Sequence, residues 1–282
     1  MKIANRQRTK DILQKHNIKL KKSLGQNFLT DNNILDKIVA EANLSSEDSV
    51  IEVGPGIGAL TERMSEAAKE VVAVELDNRL IPVLNEIFEE QDNVSIIHGD
   101  ALEVDFDSLI DGDYKVVANL PYYITTPIIM RFLEESSGAK EIVVMVQKEV
   151  GERMVASPGG KDYGILSIAV QYYTEAEIAF GVPSSVFIPR PKVDSAIVSL
   201  KVLDYPRAKV EDEDFFFKVV KSAFHQRRKT VRNSLSKAPF LSVPRDIIDQ
   251  ALEEVEIDPR RRAEKISVEK FIELSNAIYR IY

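Results

Sequence analysis

The run Glu52-Val53-Gly54-Pro55-Gly56-Ile57-Gly58-Ala59 follows a β-branched stretch and opens an amphipathic one. Gly54 and Gly56 allow a tight turn and let a ligand approach the backbone at a helix N-terminus, and Ala59 completes a G-x-G-x-x-A spacing. That spacing alone suits NAD, FAD or S-adenosylmethionine (SAM), or a turn that holds no ligand. Glu75 ends the next apolar run, 19 residues beyond Gly56, where a carboxylate can accept hydrogen bonds from ribose hydroxyls. Asp100 ends a third run in Gly99-Asp100-Ala101-Leu102, placed to accept from the exocyclic amine of an adenine. Capping the segment that follows is its competing role.

Asn119-Leu120-Pro121-Tyr122 ends a fourth run, at the carboxyl edge where open α/β sheets place their ligands. A plain strand-to-loop turn is the competing reading. The residue types nonetheless match a specific chemical problem. An adenine N6 is a poor nucleophile because its lone pair is delocalised into the ring. The Asn119 side-chain oxygen and a backbone carbonyl of Leu120 or Pro121 can accept both N6–H bonds and favour a tetrahedral nitrogen, and Tyr122 can stack on the base. Transfer of a methyl from a sulfonium then needs positioning rather than a strong base.

The rest of the composition agrees. The 282 residues include no cysteine, no tryptophan and three histidines. That excludes disulfide scaffolds, Cys-ligated zinc sites, thiol nucleophiles, zinc-dependent nucleobase deaminases and the thiol-adduct route to pyrimidine C5. No metal site is expected. No run approaches the roughly 18 apolar residues of a membrane span and no signal segment opens the chain, so a cytoplasmic protein without a membrane partner is expected. The absence of heptads and long apolar runs points to a monomer. The net charge of −8 taken alone argues against a nucleic-acid partner, but the charge is uneven. Residues 1–22 hold Lys2, Arg6, Arg8, Lys10, Lys15, Lys19, Lys21 and Lys22 against Asp11, or +7, leaving −15 on the other 260. Two further basic clusters, HQRRKTVR (225–232) and PRRRAEK (259–265), favour a local polyanion-binding face over a merely solvated surface.

These residues need elements to position them. SVIEVG (49–54), VVAVEL (71–76), VSIIHGD (94–100), YKVVANL (114–120) and EIVVMVQ (141–147) are nearly continuous in apolar residues, as strands buried on both faces should be, and amphipathic helical stretches lie between them. The fold class is α/β, a doubly wound, Rossmann-like parallel sheet. YGILSIAVQYYTEAEIAF and DSAIVSLKVL read as further strands at a sheet edge, around the loop VPSSVFIPRPKV (182–193). The polar stretch LDYPRAKVEDED (203–214) marks a boundary. It divides a catalytic domain, residues 1–205 with a basic arm over 1–22, from a small all-helical domain over 206–282.

At this point the sequence resembles the SAM-dependent ribosomal RNA adenine N6,N6-dimethyltransferases, over nearly the whole chain. KKSLGQNFLTD (21–31) resembles the family's N-terminal SAM motif, EVGPGIGALT its glycine loop, VELD and GDAL its acidic strand ends, and NLPYYITTPI its catalytic loop. QKEVGERM, KDYGILS and VFIPRPKVDSAIV resemble later segments. The resemblance implies that Gln26, Asn27 and Leu29 meet the methionine and ribose end of SAM. It implies that Gly54 and Gly56 approach the cofactor through backbone, that Glu75 binds the ribose and that Asp100 binds the adenine amine. Asn119, Leu120, Pro121 and Tyr122 would hold the target adenine, with Asn119 also beside the cofactor and Phe187 as a second aromatic face for the flipped base. Arg227, Arg228, Lys229 and Arg232, in a basic helical segment, and Arg260, Arg261 and Arg262 would contact RNA phosphates. The implied substrate is 16S rRNA in an immature small ribosomal subunit, dimethylated at two adjacent adenosines of its 3′-terminal hairpin. FIPRPKVDSAIV and RRKTVRNSL favour this small-subunit type over the large-subunit type that confers macrolide resistance. An NAD oxidoreductase would leave NLPY, Asp100 and the basic clusters without purpose, and the intact Asn119 motif argues against a non-catalytic assembly factor.

Overall fold

A computed structural model describes residues 2–21 and 25–282; Lys22 of the basic arm, with Ser23 and Leu24 of the N-terminal motif, lies outside the described residues. The strands are β1 (Phe28–Leu29), β2 (Ser49–Val53), β3 (Glu70–Glu75), β4 (Val94–His98), β5 (Tyr114–Asn119), β6 (Ala139–Gln147), β7 (Thr174–Val182), β8 (Phe187–Ile188) and β9 (Ser195–Val202). Seven form one sheet in the order β4-β3-β2-β5-β6-β9-β7. The first five of that order run parallel, and β9 joins β6 antiparallel. Val50, Ile51, Val71, Ala73, Val116, Val117, Ile142 and Val143 are wholly buried, which is why these strands read as unbroken apolar runs. The chain reverses its direction of strand addition between β4 and β5, so the carboxyl ends of β2 and β5 flank a crevice.

The N-terminal arm is folded. Helix α1 (Arg6–Lys15) is capped by the Asn5 side chain, and Ile3, Ala4, Thr9 and Ile12 are buried. Helices α2 (Asn32–Glu41), α3 (Ala59–Ser65), α4 (Ile81–Ile87) and α5 (Thr125–Glu135) pack on the sheet. Then come α6 (Lys148–Met154), α7 (Ile165–Tyr173), α8 (Glu213–Phe224), α9 (Val231–Leu235), α10 (Arg245–Glu254) and α11 (Val268–Ile281). Among the described residues no helix is long and apolar enough to cross a membrane.

Three sequence expectations are corrected. ILSIAVQYY is helix α7, not a strand; only the segment from Thr174 onward is extended. Ile168, Ala169, Val170, Tyr172 and Tyr173 are all buried, and a run buried on every side shows neither a helical nor a strand period. The division of the chain differs as well. One compact unit comprises Met1–Gly151 and Glu177–Val202, the other Glu152–Ala176 and Leu203–Tyr282, in place of a single cut at 205. Within the second unit Tyr172 packs against Phe216 with ring centroids 4.9 Å apart and the Tyr173 hydroxyl donates to Glu213 at 2.5 Å, so the segment around α7 belongs with the C-terminal helices. The polar stretch after Leu203 is held there too: the Leu203 and Arg207 amides donate to the Tyr173 and Tyr172 carbonyls, each at 2.9 Å. Last, Arg227, Arg228 and Lys229 lie in the turns between α8 and α9 rather than in a helix.

Candidate functional site

The first unit contains a cleft of about 1040 Å³, mouth included, at the carboxyl ends of β2, β3 and β5. It is lined by Gln26, Asn27, Leu29, Gly54, Gly56, Glu75, Asp100, Asn119, Leu120, Pro121 and Tyr122. The structure thus gathers every expected cofactor residue and four of the five expected target-base residues around one space.

Each wall has a local cause. The Gly54 amide donates to the Val74 carbonyl at 2.9 Å, so the strand end turns sharply into the loop. Gly56 has φ +62°, and a Cβ there would lie 2.8 Å from the Phe28 ring, so only glycine fits between that ring and the turn. Glu75 is 6% exposed. Its two oxygens accept the Gly56 amide at 3.1 Å and the Asp77 amide at 2.7 Å, which aims the carboxylate along the cleft wall with lone pairs to spare. Burial pushes its pKa up, against those two bonds. Asp100 takes the competing capping role, one oxygen accepting the Leu102 amide at 2.9 Å, and the residue also lines the cleft.

The Asn119 amide is oriented by the N-terminal segment. Its Nδ2 donates to the Asn27 carbonyl at 3.2 Å, while Asn27 is itself braced by an Nδ2 bond to the Gly25 carbonyl at 2.9 Å. Asn119 Oδ1 is left as an acceptor. The Pro121 carbonyl accepts both the Ile124 amide and the Thr125 hydroxyl, each at 3.1 Å, whereas no described group donates to the Leu120 carbonyl. Of the two backbone acceptors the sequence left open, Leu120 is therefore the free one. Tyr122 is half-buried and its hydroxyl bonds to Ser195 Oγ at 2.6 Å; burial raises its pKa.

Phe187 is placed elsewhere. It is 1% exposed and belongs to the core around Phe28, Leu29 and Leu35, because β8 pairs antiparallel with β1, Leu29 opposite Phe187. Its ring fills the body beneath the N-terminal segment and does not line the cleft. The aromatics that do are Phe28, Tyr122 and Tyr123, the last 53% exposed; the doubled tyrosine in NLPYY is the sequence signal for it. Glu52 also lines the cleft, from the strand end just before the glycine loop, and is 1% exposed.

The electrostatics favour a cationic or neutral ligand. Glu52, Glu75 and Asp100 line the cleft and, among the described residues, no lysine, arginine or histidine does. A pyrophosphate-bearing dinucleotide would meet an acidic lining without a counter-charge, while a sulfonium nucleoside meets complementary charge at Glu75 and Asp100.

In the second unit the basic clusters come together. The Val231 amide donates to the Arg261 carbonyl at 2.7 Å, joining residues 225–232 to residues 259–265. Arg227 Nη2 donates to the Lys161 carbonyl at 2.5 Å and Lys265 Nζ to the Gly159 carbonyl at 3.0 Å. Arg227, Arg228, Lys229, Arg260, Arg261 and Arg262 are exposed. Arg232 is committed to an ion pair with Asp249, its Nε donating at 2.6 Å. Arg260 pairs with Asp258 at 3.2 Å and Arg262 with Glu264 at 4.0 Å.

A doubly wound sheet, a glycine loop, two acidic strand ends and an Asn-x-Pro-Tyr loop on one cleft define the methyltransferase class of α/β enzymes. The chain belongs to the ribosomal RNA adenine dimethylase family, whose model matches residues 17–280. It is 51% identical to the ribosomal RNA small subunit methyltransferase A of Bacillus pumilus over 98% of this chain and 97% of that protein. The protein of the same name from Clostridioides difficile is also 51% identical, over the same shares. Among solved structures, a dimethyladenosine transferase from Plasmodium falciparum superposes with a TM-score of 0.77 at 28% identity, covering 88% of this chain and 95% of that one. The 23S rRNA methyltransferase ErmE shares the fold, with a TM-score of 0.69 at 24% identity over 89% and 99% of the two chains.

Proposed function

We propose that this chain uses SAM to dimethylate N6 of two adjacent adenosines in the 3′-terminal hairpin of 16S rRNA within an immature small subunit. The orientation of Asn119 is the observation that carries the chemistry. With Nδ2 held by the Asn27 carbonyl, Oδ1 accepts one N6–H of the target adenine and the Leu120 carbonyl accepts the other, localising the nitrogen lone pair. SAM, when bound, supplies a methyl on a positively charged sulfur. Glu75 would hold its ribose, Asp100 its adenine amine and the backbone at Gly54 and Gly56 its near side. The Glu75 and Asp100 side chains on the cleft suit its cationic charge. Tyr122, its hydroxyl fixed by Ser195, offers a ring face to the flipped base, and Tyr123 stands beside it where Phe187 had been expected. The N6 nitrogen, once alkylated, is acidic enough to release its proton without a strong base, in keeping with a cleft whose groups at Asn119 and Leu120 are neutral acceptors.

The small-subunit assignment rests on the 51% identical relatives, which cover this chain nearly end to end. Arg227, Arg228, Lys229 and Arg261 are the best-placed phosphate contacts, with Arg260 and Arg262 less available because of their acidic partners; Arg232 ranks last. The test is incubation of the protein and labelled SAM with immature small subunits, followed by mass spectrometry of the rRNA. Dimethyladenosine at two adjacent positions of the 3′-terminal hairpin is expected from the wild type. Asn119→Ala should bind SAM yet transfer at least ~100-fold more slowly. Label in large-subunit rRNA only, or undiminished transfer by the variant, would overturn the proposal.

A further inference from the structure

We infer that Asp77 and Arg79 are positioning residues for the cofactor site, acting through Gln26. Asp77 follows β3 and is 3% exposed, so it is a carboxylate withdrawn from water, yet it does not line the cleft. Its oxygens instead collect one donor from a distant part of the chain and two from its near neighbour Arg79. Gln26 Nε2 donates to Oδ2 at 2.9 Å, and Arg79 donates through Nε to Oδ1 at 2.8 Å and through Nη2 to Oδ2 at 2.5 Å. The forked guanidinium holds the carboxyl ionised, down to about 2, and Arg79 Nη1 reaches on to the Lys19 carbonyl at 2.9 Å.

The consequence lies in what Gln26 does next. Its Oε1 accepts the Lys21 amide at 3.0 Å, so both ends of the side chain that the resemblance places against SAM already serve protein bonds. Gln26 is thereby a strut whose position depends on Asp77. The neighbouring Asn27 carbonyl orients Asn119, and the Asp77 amide holds one oxygen of Glu75. Asp77 thus reaches Glu75 through its backbone amide and, through its carboxylate and Gln26, the N-terminal wall of the cleft next to the Asn27 carbonyl that orients Asn119. A purely local role, tying Asp77 to the Arg79 amide as the chain enters α4, accounts for the 3.3 Å bond from that amide but not for the bonds to Gln26 and Lys19, 51 and 60 residues away from their partners.

This inference rests on the reading of the cleft as a SAM site, and its test separates the two. Calorimetry with S-adenosylhomocysteine comes first: a wild type that does not bind it sinks the cofactor reading itself. Given wild-type binding, Asp77→Asn and Gln26→Ala should each weaken affinity by roughly 5- to 20-fold. The double variant should be no more than about 2-fold weaker than the worse single one, because the two residues act as one unit. The Lys21 amide should also exchange its hydrogen faster in Asp77→Asn while amides of β2 and β3 keep their protection. Losses that multiply in the double variant, or an Asp77→Asn protein that binds like the wild type, would overturn the role. If Asp77→Asn does not fold, Arg79→Lys carries the same cycle with Gln26→Ala, with the same expected non-additivity.

Discussion

Glu52 sits at the end of β2, 1% exposed, with the Thr61 hydroxyl donating to it at 2.5 Å. Burial pushes its carboxyl up to about 8, helped by the Glu75 charge and opposed by the Thr61 bond. A carboxyl raised in the folded state binds its proton there after the unfolded chain has lost it. Its contribution to stability is therefore complete below about 4.5 and lost as pH rises through about 8. Glu52→Gln, neutral at every pH, should flatten that part of the profile. Its stability relative to wild type should rise across this window, by on the order of a few kcal/mol at the alkaline end, with a melting temperature that rises in step. Parallel melting curves for the two proteins from acid to alkaline pH would show that Glu52 ionises freely. At this scale the sequence showed which residues could do chemistry but not what else would bind them. It offered Leu120 and Pro121 as equal acceptors, and only the loop geometry, with Ile124 and Thr125 turned back onto Pro121, separates them. It marked Gln26 as a ligand contact, whereas both ends of its amide are taken.

The elements that hold these residues differ in how plainly they could be read. Strands β2, β3, β5 and β6 were legible because their centres are buried on both faces and so are apolar, while the edge strand β4 is only half-buried and was read from its β-branched run; the acids and asparagine at their ends then had to fall on one sheet edge. Helix α7 was not, because burial on every side erases its period. The pairing of β1 with β8 was also hidden: two residues bond to two others 160 positions away, no pattern in either pair announces it, and it is this pairing that draws Phe187 into the core and away from the base-binding face. The same small sheet sets Phe28 over the glycine loop. Alanine at Gly56 would need φ +62° and would place its Cβ 2.8 and 3.0 Å from two Phe28 ring atoms. The expected cost is about 1–3 kcal/mol in stability. A larger loss is expected in cofactor binding, because the ring that must yield lines the cleft. Thermal melts and calorimetry with S-adenosylhomocysteine check both, and a variant unchanged in both would mean that the loop is not held against Phe28.

Over the whole molecule the charge distribution, rather than its sum, bears on the partner. The net −8 hides a first segment at +7, half of its basic residues on α1: Lys2, ahead of the helix, pairs with Glu66 at 3.0 Å, while on α1 Lys15 pairs with Glu86 and Arg6 donates to the Ser185 carbonyl at 3.1 Å. Arg8, Lys10, Lys19 and Lys21 stay exposed. In the helical unit the basic clusters were legible as charge, but their availability was not, since that depends on partners brought in by folding. Asp249 claims Arg232, whereas Arg228 and Lys229 have no carboxylate within ion-pair distance among the described residues, and Arg227 reaches only a neutral carbonyl. Phosphate binding releases counterions in proportion to the free cations engaged, so the residues should separate by salt dependence. Arg227→Glu with Arg228→Glu is expected to weaken binding to small-subunit rRNA and to lower the slope of log affinity against log salt by about 2. Arg232→Gln should leave that slope nearly unchanged, because its charge is already neutralised by Asp249. Filter binding across a salt series distinguishes them. An unaltered slope in the double reversal would move the phosphate-binding face off the turns between α8 and α9 and leave the exposed cations at 260–262 and in the first segment as the candidates.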